Sequence, residues 1–144
     1  MSVKLKKYPV HIVLPILWGH MDAFEHVNNI MFFRFFESAR IAYFEEIKFL
    51  ETMTQRGIGP ILAATSCKYI SPLTYPDTIT VGAKTVSLED DRFDMEYIIV
   101  SKEQETVAAT GDAKVVCYDY NLRKRVNLPE QIRGNILKLE QDLS

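Results

Sequence analysis

The sequence predicts an α+β fold in which a five-stranded antiparallel sheet wraps around one long central helix, and three observations predict it. Residues 30–50 contain no Gly or Pro. A 100° step per residue gathers Phe32, Phe35, Phe36, Ala39, Tyr43 and Leu50 on one face there, with Ile30, Phe33, Phe44 and Ile47 at its flanks. A helix with so wide an apolar arc has to be wrapped by other structure. Four strand-like segments then follow the helix in an unbroken run, which marks α+β rather than α/β. A single apolar segment precedes it and supplies the fifth strand.

In chain order, residues 10–17 (VHIVLPIL) read as a short strand with Pro15 near its end or at a sheet edge. Residues 18–29 form a polar loop. The helix over 30–50 spans about 30 Å at 1.5 Å per residue. Its narrow polar stripe holds Arg34, Glu37, Ser38, Glu45 and Lys48, and Glu37 and Arg40 are spaced to pair along it. Residues 51–59 (ETMTQRGIG) carry the polar and Gly signals that end a helix and turn the chain.

Residues 60–70 read as a strand whose Ala63, Ala64, Thr65 and Ser66 allow close approach of backbone or ligand. Two prolines make a turn of 71–77. Residues 78–88 alternate with period two, Ile79, Val81, Ala83 and Thr85 against Thr80, Gly82, Lys84 and Val86. Strands are expected over 93–102 and 106–120, the second with Gly111 at a bulge or a close approach. A final helix over 128–143 follows the polar 121–127 segment, with Pro129 in its first turn.

At 144 residues the chain is read as one domain, 1–144, able to bury roughly two thirds of its unfolded surface. A net charge of −2 gives no electrostatic case for nucleic acid or an anionic membrane as partner. The helix length and its charges argue against a membrane span. Cys67 and Cys117 form no metal spacing and read as free buried thiols. The basic N-terminal segment lacks the apolar run of a secretory leader, so a cytoplasmic location is expected. The three histidines, His11, His20 and His26, share no helix face with a carboxylate, and no metal site is expected.

The chemistry concentrates in residues 18–29, WGHMDAFEHVNN. Asn28 and Asn29 stand where the helix must start, and Asn caps orphan backbone N–H groups. The remaining N–H groups of that turn favour negative charge. Asp22, His20 and His26 lie just upstream. A carboxylate, imidazoles and free backbone donors together suit acyl chemistry, with a base or nucleophile beside an oxyanion-binding helix terminus. No G-x-S-x-G elbow is present, which argues against a serine hydrolase of the usual kind.

WGHMDAFEHVNN followed by an aromatic helix with FESAR resembles the 4-hydroxybenzoyl-CoA thioesterase-like branch of the hotdog superfamily, whose pattern is close to W-G-D-x-D-x-x-G-H-V-N-N-x-x-Y-x-x-x-F-E-x-A-R. The match continues more loosely through GIGPILAATSCKYISPLTYPDTITV. His20 replaces the first Asp of the pattern, Glu25 a common Gly, and Phe32 a common Tyr. The resemblance implies the hotdog fold and hydrolysis of an acyl-CoA thioester. It implies no metal or redox cofactor, CoA entering as part of the substrate, and a homodimer or dimer of dimers with sites at the subunit interface.

On that reading Asp22 is the catalytic carboxylate, as nucleophile or as general base on water. The backbone N–H groups of Asn29 and Ile30 hold the carbonyl oxygen. His26 and Asn28 position the loop or substrate, the His26 ring by donating to a backbone carbonyl. Phe32, Phe33, Phe36, Thr65 and Ser66 line the acyl pocket. Basic residues for the nucleotide end are sought among Arg92, Arg123, Lys124 and Arg125, although the acidic turn at 89–91 weakens that reading and leaves room for an acyl carrier protein. The rival readings are a non-catalytic acyl-thioester binding module and, last, a dehydratase using Glu37.

Overall fold

Residues 4–143 are described by the computed structural model, so residues 1–3 of the basic N-terminal segment and residue 144, both within the expected 1–144 domain, lie outside it. The elements run β1 (Val10–Pro15), α1 (Asn29–Glu46), α2 (Phe49–Arg56), β2 (Ile58–Tyr69), β3 (Thr78–Leu88), β4 (Arg92–Ser101), β5 (Thr106–Asp119), β6 (Lys124–Arg125) and α3 (Glu130–Leu139). The five expected strands form one antiparallel sheet in the order β1-β3-β4-β5-β2. The two-residue β6 adds to β5. It falls in the 121–127 segment, which carries no strand pattern.

The period-two reading of residues 78–88 holds. Ile79, Val81, Ala83 and Thr85 are buried against the helix side, and β4 adds Phe93, Met95, Tyr97 and Ile99 from the same face. α1 delivers Phe32, Phe35, Phe36, Ala39 and Tyr43 into this core as expected. Phe36 lies flat on Tyr97, centroids 4.8 Å apart. A side-chain carbon at Gly111 would collide with the Phe36 ring. Gly111 is therefore a close approach, not a bulge; the register shifts of β5 and its neighbours fall at 62–64 and 99–100.

Four expectations about the helices are corrected. The helix does not run unbroken over 30–50: Lys48 adopts φ 67°, and the chain restarts as α2. The break turns Phe49 into the core against Phe44 and Phe93, and Asn135 of α3 donates to the Ile47 carbonyl at 2.9 Å. That cap comes from the far end of the chain, so no local residue announces it. The turn expected over 51–59 is mostly α2, stopped by Gly57 at φ 71°, the left-handed conformation Gly adopts without strain.

Glu37 pairs with Arg34, at 3.6 Å, not with Arg40. Arg40 instead is buried and donates to the Tyr97 hydroxyl at 3.2 Å. Pro129 caps α3 from outside, and that helix is shorter than the expected 128–143. Cys117 is buried, and burial pushes its thiol up to about 11; Cys67 is half-buried, and both are free. Among the described residues no helix is long and apolar enough to cross a membrane.

Candidate active site

The loop before α1 folds into a small hairpin. Met21 and Val27 bridge, the Asp22 N–H donates to the His26 carbonyl at 2.8 Å, and the Asn28 N–H donates to the His20 carbonyl at 2.9 Å. Val27 is buried and donates from its N–H to the Leu73 carbonyl, which fastens the hairpin to the turn after β2. Glu25 sits at the tip with φ 61°. Gly takes that conformation at no cost, which accounts physically for Gly being common at this position in the resembling pattern.

Asp22 is half-buried. Its Oδ1 accepts from the N–H of Phe24 at 2.8 Å and of His26 at 3.3 Å, the Asx turn open to any loop Asp. Its Oδ2 has no hydrogen-bond partner among the described residues. One oxygen therefore orients the carboxylate and the other is available.

Asn28 caps α1 as expected. Its Oδ1 accepts from the Ile30 N–H at 3.1 Å, and its carbonyl accepts from the Met31 N–H at 2.9 Å. This narrows the pair of expected oxyanion donors. The Ile30 N–H is already committed to Asn28, whereas the Asn29 N–H has no acceptor among the described residues. The Asn29 carbonyl accepts from the Tyr69 hydroxyl at 2.9 Å.

The imidazoles differ from expectation. His26 is exposed, and its ring donates to no carbonyl among the described residues; backbone bonds hold the loop instead. His20 accepts at Nδ1 from the Leu17 N–H at 2.9 Å and stands edge-on to Phe35 at 5.5 Å. It pins the start of the hairpin.

The expected acyl-pocket residues separate. Phe32 and Phe36 are in the core, 2% and 0% exposed, so neither wall is open to solvent in the single chain. Phe33 is 37% exposed and lines a groove of about 220 Å³ between α1 and β2 with Ile30, Arg34, Glu37, Leu62 and Thr65. Thr65 faces this groove while its hydroxyl donates to the Asp112 carbonyl. Ser66 points to the other face of the sheet and donates to the Asp112 carboxylate at 2.8 Å, away from the groove. A roomier hollow of about 530 Å³, between Leu5, Val13, Thr80 and Val100, has none of residues 18–29 in its wall.

Around the hairpin Trp18, Phe24 and Ile30 are 74%, 81% and 70% exposed, large apolar side chains that face solvent in the single chain. Tyr69 escaped the sequence reading because a lone aromatic at a strand end looks like packing. Among the described residues no three His, Cys, Asp or Glu side chains converge as metal ligands.

A family profile described as the thioesterase-like superfamily matches residues 16–136. The chain belongs to the thioesterase-like superfamily. The match begins just before the hairpin and ends within α3, so it takes in both the candidate site and the sheet that backs it. The long-chain acyl-CoA thioesterase FadM of Escherichia coli K12 is 26% identical over 122 residues, 85% of this chain and 90% of that protein. The crystal structure of a thioesterase from Thermus thermophilus, complexed with coenzyme A and Zn, is 27% identical. It superposes with a TM-score of 0.85 over 96% of this chain and 99% of that one. Slr0204 of Synechocystis, a 1,4-dihydroxy-2-naphthoyl-CoA thioesterase, is 17% identical with a TM-score of 0.79 over 91% and 97%, and bears on the fold alone. The curled sheet around α1 is thus the hotdog fold of this superfamily.

Proposed function

We propose that the protein hydrolyses an acyl-CoA thioester, adding water across the C–S bond to give a carboxylic acid and free CoA. The observation that carries this reading is the Asp22 Oδ2 in the hairpin that leads directly into the Asn29 N–H at the start of α1, both without a partner among the described residues, in a chain of the thioesterase-like superfamily. FadM and the CoA-bound Thermus protein support CoA as the thiol carrier.

In this mechanism the thioester oxygen accepts from the Asn29 N–H, where the helix dipole adds to the stabilisation of the growing charge. Asp22 Oδ2 either attacks the carbonyl carbon and expels the CoA thiolate, forming a mixed anhydride that water then opens, or takes a proton from the attacking water as the C–S bond breaks. In both cases the thiolate leaves as CoA and is protonated from solvent. Oδ1 remains in its two backbone bonds throughout and holds the reacting oxygen in place.

In one chain the groove beside Ile30 and Phe33 has neither Asp22 nor Asn29 in its wall and is smaller than the 300–1,000 Å³ usual for a ligand pocket. β2 ends the sheet, and Ile61, Leu62 and Tyr69 on it are 39–44% exposed. Such an apolar edge strand invites pairing. A second copy joined along β2 completes the groove in this reading.

The test is release of free thiol from a panel of acyl-CoAs, beginning with long-chain acyl-CoA and including aromatic acyl groups and acyl carrier protein. Light scattering on the same sample gives the mass. Asp22→Asn keeps the oxygen that accepts from Phe24 and His26, so it should stay folded while kcat falls about 10²-fold or more. Binding without thiol release from any carrier would make the protein an acyl-thioester binding module. A solution mass of one chain rather than two sinks the shared-groove part of the reading.

A further inference from the structure

We propose that Tyr69 is a positioning residue: through its hydroxyl, strand β2 sets the direction of the Asn29 N–H that receives the thioester oxygen. The inference rests on the hydrolysis reading above and deepens it.

The geometry is a clamp on two successive peptide groups. In the peptide joining residues 29 and 30, the carbonyl accepts from the Tyr69 hydroxyl at 2.9 Å and the N–H donates to Asn28 Oδ1 at 3.1 Å. In the peptide joining 28 and 29, the carbonyl accepts from the Met31 N–H at 2.9 Å. Of the four polar groups in these two peptides, only the Asn29 N–H is left open among the described residues. Asn28 and Met31 are part of the helix start itself. Tyr69 is the one anchor that comes from the sheet, where it pairs with Ala109 of β5.

The Tyr69 ring is held as well. It stands edge-on to Phe32 at 5.0 Å, and Phe32 is buried in the core. Ring and hydroxyl therefore grip α1 at adjacent points, the side chain at Phe32 and the backbone at Asn29. Tyr69 is itself 44% exposed, so a large part of its surface is not spent on packing. A phenol is protonated and a donor at neutral pH, and burial, reinforced by the neighbouring Cys67, raises this one further above its usual range.

Tyr69→Phe removes the hydroxyl and keeps the ring on Phe32. With the acyl-CoA that the wild type hydrolyses best, kcat should fall roughly 10- to 100-fold with KM within about twofold, the signature of a misaligned donor rather than lost binding. Amide hydrogen exchange at Ile30, whose N–H is bonded to Asn28 Oδ1, should quicken about tenfold, with Tm lowered by only a few degrees. Unchanged exchange at Ile30 overturns the clamp, whether or not the protein turns over any thioester. Faster exchange with unchanged kcat overturns it too, since the freed donor would then not matter. A wild type that releases no thiol removes the hydrolysis reading alone, because the exchange measurement still decides whether Tyr69 orients Asn29.

Discussion

Two polar clusters stand about 20 Å apart along α1, and the fold treats them oppositely. Near the C-terminal end, the Tyr43 hydroxyl donates to Glu140 Oε2 at 2.7 Å, the Thr85 hydroxyl donates to Tyr43 at 2.6 Å, and the Thr85 N–H donates to Glu140 Oε2 at 2.8 Å. All three residues are buried, and the bonds close on one another. The register shift between Thr85 and Ser87 occurs where the Thr85 N–H turns to Glu140. At the N-terminal end, Asp22 Oδ2, the His26 ring and the Asn29 N–H all lack a partner among the described residues. They lie near water, beside the exposed Trp18, Phe24 and Ile30. The closed cluster ties α3 to the sheet and the helix. The open one has its bonding capacity left for something else, and it is the one on which the proposed chemistry rests.

The contrast is easiest to break at the closed end. Glu140→Ala would leave the Tyr43 hydroxyl and the Thr85 N–H buried without their acceptor, at a cost of about 2–4 kcal/mol. Chemical denaturation should show that loss, while the kcat of the remaining folded protein stays put. A loss of kcat with stability intact would mean that the two clusters are not independent.

The next effect is a pH dependence. Burial raises the Glu140 carboxyl above its usual range, outweighing the bonds from Tyr43 and Thr85 and the charge of Lys84, with Asp142 adding to the rise. The neutral form is therefore favoured in the folded state. Its contribution to stability is full below the ordinary carboxylate range and is lost as pH climbs through the raised value. Subtracting the Glu140→Gln stability profile from that of the wild type should give a curve that falls across mildly acidic pH, and a flat difference would show that the closed cluster does not feel its burial.

The smallest effect sharpens the open end. Glu25 holds a left-handed backbone at the hairpin tip, so Glu25→Gly should stabilise by ~0.5–1 kcal/mol. A thermal melt that moves downward instead would show that the Glu25 side chain is tied to a partner.

Most of the architecture was legible because it follows from periods. The apolar face of α1 and the alternation of β3 each need one face buried, and hydrophobic burial enforces that face along the whole element. The site was legible where its signals are local: Asn28 as cap and Asp22 as a loop carboxylate are decided within a few residues of sequence. Other features were set by distant partners. The carbonyl freed at the Lys48 break is met by Asn135, from the last helix. Arg40 left Glu37 because the Tyr97 hydroxyl offered a buried partner. The commitment of the Ile30 N–H to Asn28 separated two donors that look equivalent in sequence, and Ser66 turned from the groove because a strand alternates faces.

By itself, then, the sequence determined the α+β class, the chain order of the five main strands, the buried face of the first helix and the loop that holds the candidate site, all of them consequences of periodicity and short-range capping. Only the tertiary structure decided which polar groups are used up and which stay open. Hydrogen bonds such as Tyr69 to Asn29 and Thr85 to Glu140 join residues 40 and 55 positions apart. No local pattern records such a pairing, since it exists only once the hydrophobic core has brought the two segments together.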